Sequence, residues 1–193
     1  LSEAKEGGSA NMMPIGPLMI EHRLIERMIA LMKKELEHAK KAKQVNPRFV
    51  EAATRFIKAY ADRCHHGKEE DILFRELKKK DISKEHKKIL DELVQEHKWG
   101  RETTAKLVGA NRRYGKGDEE ALSEIIYCIG LLVDFYPKHI EKEDKHFFLP
   151  VMKYFSEQEK EAMLKEGYEF DSTLIHQENA DMVSAWEESM KPN

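Results

Sequence analysis

Apolar residues recur along the chain at intervals of three and four, and no stretch keeps the two-residue alternation of a half-buried strand. The pattern predicts helices. The first runs from about Pro17 to Lys43 and breaks at QVNPR, where Asn46 can cap and Pro47 suits a first turn. A second covers about Arg48 to Lys80, with Gly67 as a candidate kink. Ser83 can cap a third that reaches about Tyr114, and GKGD (115–118) makes a loop. That loop lacks the Lys-Ser/Thr of a phosphate-binding loop, which removes that role. Asp118 opens a fourth helix through Glu143 and beyond, and Pro137 inside it is expected to bend it just before His139. SEQE at Ser156 is a capping box that starts a helical C-terminal extension, with Gly167 as its expected break. Long helices on short connections predict an all-α, up-down-up-down four-helix bundle carrying that extension. The expected division is a flexible tail or cloning remnant at 1–13, the bundle at 14–155, and the extension at 156–193 packed on the same domain.

Composition narrows the picture. At 193 residues the chain suits one well-cored domain. Its 36% charged and 40% apolar residues fit helices with one buried stripe and a charged exterior. Basic and acidic residues nearly cancel, 33 against 36, and no long basic run appears, which argues against nucleic acid as partner. No apolar run approaches the ~20 residues of a bilayer span, so no membrane role is expected. Cys64 and Cys128 are too few for a disulfide framework or a thiolate metal cage, and free thiols point to a cytoplasmic chain.

The candidate chemistry lies in the histidines. In the first helix His22, Ile25, Ile29, Met32 and Leu36 share a face. In the second Ile57, Ala61, His65, Glu69, Leu73 and Leu77 follow at intervals of four. Leu90, Val94, His97, Thr104 and Val108 make the third stripe, and Ile125, Ile129, Leu132, Tyr136, His139 and Glu143 the fourth. Every helix thus aims one histidine inward, and two of them add a glutamate one turn later. A single inward histidine is explained as a hydrogen-bonded core residue. An unpaired buried carboxylate costs several kcal/mol, and no stripe lysine or arginine is available to Glu69 or Glu143. A metal pair removes that cost, because imidazoles and carboxylates together suit iron, manganese or zinc.

Four segments carry a resemblance. LMIEHRLIERM, HHGKEEDILF, EHKWGR and HIEKEDKHFFLP, in that order over roughly residues 14 to 155, resemble the motifs of the hemerythrin-like, HHE cation-binding family. The resemblance implies a four-helix bundle holding two non-haem irons, bridged by Glu69, Glu143 and an oxo or hydroxo species. The implied ligands are His22, His65, His97 and His139 with the two glutamates. The oxygen carriers of the family offer two histidines a turn apart on the third helix, whereas here Leu93 and Arg101 flank His97 at that spacing. His66, adjacent to His65, is the candidate for the missing ligand, turned inward by a kink at Gly67; the alternative makes it a flank residue paired with Glu70. Glu26 is either an acceptor for an imidazole N–H or a surface charge. His38, His86 and His176 lie off the stripes, and His146 is placed at the end of the bundle. Ferritin-like spacing, Glu-x-x-His, occurs at Glu35/His38 and Glu143/His146, but Glu35 and His38 flank the first stripe and the partner glutamates are missing.

Three functions follow from the resemblance and the residues. One is a di-iron protein that binds O2 or NO for sensing, storage or detoxification. The second is an enzyme at the same centre, reducing NO or peroxide or donating iron to damaged iron–sulfur clusters, with an electron donor as partner; Tyr60, Cys64 and Tyr136 fall near the metal level and could supply electrons or hydrogen bonds. The third is an interaction protein with a purely structural metal.

Overall fold

A computed structural model describes residues 13–171 and 173–191, and for 173–177 the backbone alone. The expected tail up to residue 12 and the side chain of His176 lie outside the described residues. Six helices and no strand occur among the described residues, so the chain is an all-α bundle. Helix α1 is Ile15–Ala42, and α3 is Lys84–Tyr114. Helix α2 spans 47–77: Pro47–Phe56 is α-helical, Ile57–His66 and Glu69–Phe74 are π-helical, and Arg75–Leu77 closes it. Helix α4 spans 121–151, with Ala121–Lys142 α-helical, Glu143–Phe147 π-helical and Phe148–Val151 at its end. Helices α5 (Glu157–Phe170) and α6 (Thr173–Ser189) form the C-terminal extension.

The caps follow the sequence chemistry. Asn46 accepts hydrogen bonds from the N–H of Arg48 (3.1 Å) and Phe49 (3.3 Å), with Pro47 in the first turn of α2. Ser83 accepts from His86 N–H at 3.2 Å, and Ser156 with Glu159 completes the capping box of α5. One expected break is absent, since Gly167 lies inside α5. Pro137 lies inside α4 as expected, and α-helical bonding continues past it to Lys142, because a proline removes only one N–H from the ladder.

The π segments explain the second stripe. At ~100° per residue, five steps of four residues turn a stripe about 200° around an α-helix, which would put Leu77 opposite Ile57. Yet Ile57, Ala61, His65, Glu69, Leu73 and Leu77 are all buried. Wider turns with i→i+5 bonding absorb the drift and keep the period-four stripe on one face. In α3 the buried face is Leu90, Leu93, His97, Thr104 and Leu107, while Val94 and Val108 of the expected stripe are only half-buried.

The core divides in two. One apolar cluster packs Ile25, Met28, Phe49, Phe56, Ile129 and Leu132, and extends to Val183 of α6. The other joins Leu18, Leu73, Phe74, Leu93, Phe147 and Phe148 to Met163 of α5. On the chain the inward histidines and glutamates fall where one cluster gives way to the other: His22 stands between Leu18 and Ile25, and Glu69 between Ala61 and Ile72. No helix among the described residues is long and apolar enough to cross a membrane.

Candidate metal centre

The four long helices bring seven side chains to this layer, all nearly or fully buried: His22 (0% exposed), His65 (1%), His66 (3%), Glu69 (0%), His97 (0%), His139 (2%) and Glu143 (0%). They form two groups that could hold a metal ion, His22, His65, Glu69 and Glu143 in one and His66, His97 and His139 in the other. Within each group the candidate ligand atoms lie within 4.8 Å of one another. The carboxylates reach both groups. Glu69 Oε1 lies 3.4 Å from His65 Nε2 while its Oε2 lies 3.3 Å from His97 Nε2. Glu143 Oε2 lies 3.2 Å from His22 Nε2, and its Oε1 lies 3.3 Å from His139 Nε2 and 3.7 Å from His97 Nε2.

Every one of these inward atoms is buried and without a hydrogen bond: Nε2 of His22, His65, His97 and His139, and both oxygens of Glu69 and Glu143. Buried polar atoms are rarely left so. Two donors each about 2.1 Å from one ion and a right angle apart stand about 3 Å from each other, close to the spacings found here. The donor set therefore fits a cation.

The opposite ring nitrogens are all engaged, with one exception. Nδ1 of His22 meets Asp144 at 2.8 Å, His65 meets Glu21 at 2.9 Å, His97 meets Glu70 at 2.7 Å and His139 meets Glu96 at 2.8 Å. The pairing runs in a ring: α1 backs α2, α2 backs α3, α3 backs α4 and α4 backs α1. Each backing carboxylate is the chain neighbour of an inward residue: Glu21 beside His22, Glu70 beside Glu69, Glu96 beside His97 and Asp144 beside Glu143. Sequence reading by stripes missed all four, and Glu26, weighed there for such a role, instead pairs with Arg23 at 3.1 Å. An acid flanking an inward ligand is the signal that finds them.

Each backing carboxylate also has its own cation. Asp144 pairs with Arg23 and Glu21 with the buried Lys68, while Arg101 reaches Glu70 at 2.6 Å and Lys142 reaches Glu96 at 2.5 Å. Lys68 additionally meets Asp171, just past α5, at 2.5 Å. Among the described residues no lysine or arginine lies within ion-pair reach of Glu69 or Glu143. Their negative charge falls on the imidazoles. Burial opposes protonation of His22, but the hydrogen bond to Asp144 and the negative charge of Glu143 beside its Nε2 outweigh it and lift its pKa to about 10. For His97, burial is likewise outweighed, by Glu143, Glu69 and Glu70, and the pKa rises to about 11. Burial alone would raise Glu143, yet the surrounding His139, His22 and His97 hold it well below the usual carboxylate range.

His66 is the exception. Its Nδ1 is buried with no hydrogen-bond partner, and the nearest carboxylate, Asp62, stands 3.8 Å away and is taken by Arg101 at 2.6 Å. Burial, then the neighbouring imidazoles of His97, His139 and His65, push its pKa well below the ordinary value. Its ring stacks on His97 with centroids 3.9 Å apart. The pairing with Glu70 considered from sequence is not made, since Glu70 binds His97 and Arg101. The expected kink is not made either. Gly67 is ordinary right-handed helix (φ −58°), and His66 faces inward because the π turn Ile57–His66 widens the helix at that level.

The remaining candidates take other roles. Glu35 is buried rather than flanking, but it accepts the N–H of Asn46 at 2.6 Å, and His38 is exposed, so the ferritin-like pair is not assembled. His86 bonds Tyr154 at 2.8 Å, and His146 is exposed. Cys64 and Cys128 are free and buried. Cys64 donates to Asp171 at 3.1 Å, and burial with that bond pushes its thiol up to about 12, far from a ready thiolate.

Comparison with known proteins adds one finding. No curated protein and no solved structure matches the chain. The Hemerythrin HHE cation binding domain matches residues 13–151, which takes in α1 to α4 and all seven inward side chains, and the chain belongs to that family.

Proposed function

We propose that this chain is a non-haem di-iron protein that binds a small diatomic ligand, O2 or NO, for sensing, storage or detoxification. The observation that carries the proposal is the reach of the two carboxylates, each with one oxygen beside a histidine of one group and the other beside a histidine of the second. Such carboxylates would bridge two ions. His22 and His65 would hold the first, and His66, His97 and His139 the second. Imidazole and carboxylate donors accept iron, manganese or zinc alike, so iron rests on the family likeness.

The first ion would have fewer protein donors than the second, and an open position there would supply reversible binding of a diatomic molecule. This chain's residues do the rest. The backing carboxylates would fix the tautomers of His22, His65, His97 and His139 and aim their Nε2 atoms inward. Phe148, stacked on His22 with centroids 5.6 Å apart, and Phe74, 5.9 Å from His97, keep the layer dry. The engaged Cys64 thiol offers no ready reductant, which favours binding over turnover. Anaerobic iron loading followed by optical spectra, first with O2 and then with NO, tests the proposal. Two irons per chain and a reversible spectral change are expected; a fully loaded centre silent to both gases would leave the metal a structural role.

A further inference from the structure

Between α2 and α3 a cavity of about 160 Å³ reaches in from the surface to the centre. Ile57, Asp62, His66, Gly100, Thr104 and Tyr136 line it, with Lys58, Arg101 and Ala105 at its edge. Two of the lining residues each carry a buried polar atom with no hydrogen-bond partner, Thr104 Oγ1 and His66 Nδ1. Thr104 is 1% exposed and His66 3%. A hydroxyl can donate and accept, and so can an imidazole according to its tautomer. Arg101 holds Asp62 at 2.6 Å and Glu70 at 2.6 Å, and Lys58 stands exposed on the rim. The buried end of the cavity thus presents no unpaired lysine, arginine or carboxylate. A cavity of roughly 150 Å³ takes a molecule the size of benzene.

We propose that this cavity is a binding port for a small neutral molecule with both a hydrogen-bond donor and an acceptor, meeting the centre at His66 rather than at His22 or His65. The port rests on the metal-centre reading, and His66 is the one histidine of the layer with no carboxylate behind it. A ring held only by its neighbours' packing is the ligand most easily exchanged for an incoming molecule.

Imidazole is the probe, and two experiments use it. Calorimetry on the intact protein compares wild type with Thr104→Val and with Ala105→Trp at the exposed rim. Loss of the threonine hydrogen bond should weaken binding about fivefold, and the rim tryptophan should abolish it. Undiminished binding to Ala105→Trp overturns the port. In the second, metal-loaded His66→Ala and His22→Ala are titrated with imidazole while the optical spectrum is followed. Imidazole should restore the wild-type spectrum of His66→Ala and leave that of His22→Ala changed; restoration of both alike, or of neither, places the port elsewhere. A wild type that takes up no metal would sink the di-iron reading alone, and calorimetry would still report on the cavity.

Discussion

The two halves of the centre share two carboxylates but are built differently. On the side of His22 and His65, both imidazoles have a carboxylate behind them, and a buried lysine ties one of those carboxylates to the C-terminal extension through Asp171. On the side of His66, His97 and His139, two imidazoles are backed and the third faces a cavity with its Nδ1 unpartnered. The first half has fewer donors held more firmly; the second has more donors, one of them loose. Donor count and donor rigidity are separate properties of a metal site, and here they run in opposite directions.

The largest effect is expected where the halves meet. Glu69→Ala and Glu143→Ala each remove a carboxylate that serves both groups, so each should lose most bound metal by elemental analysis. Because the ligands join α1 to α4, loss of metal should also lower the melting temperature, as metal bound only to the folded chain stabilises it. Two ions retained at full occupancy in Glu69→Ala would show that the groups are independent.

A smaller contrast separates the adjacent histidines. His65→Ala takes a backed ligand from the half with fewer donors and should lose at least one ion, as should His139→Ala. His66→Ala removes the unbacked ring and should keep both ions, which then pass to a chelator faster than from wild type. Equal metal loss in His65→Ala and His66→Ala would erase the difference between the halves.

Next come the backing carboxylates. Glu21→Ala, Glu70→Ala, Glu96→Ala and Asp144→Ala should each weaken metal binding about 10- to 100-fold, the usual effect of removing a ligand's orienting partner. Asp62→Ala should change affinity only a few-fold, because Asp62 stands 3.8 Å from His66. Competition with a chromophoric chelator ranks all five. An Asp62 effect as large as that of Glu96 would mean that His66 is backed after all.

Six of the inward residues, His22, His65, Glu69, His97, His139 and Glu143, were legible because buried polar residues set at helical spacing within an apolar stripe leave a periodic mark that surface positions do not. His66 lies off its stripe and was a candidate only through the family resemblance and its place beside His65. The backing acids were not legible by the same means. Glu21, Glu70, Glu96 and Asp144 sit one position off an inward residue, where an α-helix is half-exposed and charge is ordinary. Their partners lie on other helices, and a one-dimensional pattern holds no cross-helix information. The π turns do leave a mark in the sequence: a stripe of strict period four from Ile57 to Leu77 cannot stay on one face of an α-helix. That same underwinding brings His66 inward beside His65, which a glycine kink was expected to do.

The smallest effect tests that last point. If a kink at Gly67 placed His66, alanine there would straighten the helix and disturb the three-histidine half. Gly67 instead has φ −58° and ψ −46°, angles any residue adopts. An added Cβ would lie 2.9 Å from Phe170 Cζ, the far end of a side chain that is 41% exposed and free to give way. Alanine gains up to about 1 kcal/mol of helix propensity over glycine, which offsets the displacement of the ring. Gly67→Ala should therefore leave metal content and spectrum as in wild type and change stability by less than about 1 kcal/mol. The visible change should be confined to Phe170 at the end of α5, read as faster amide exchange there. A Gly67→Ala protein that loses metal from the His66 side while holding it at His22 and His65 would restore the kink and remove the π turn as the cause.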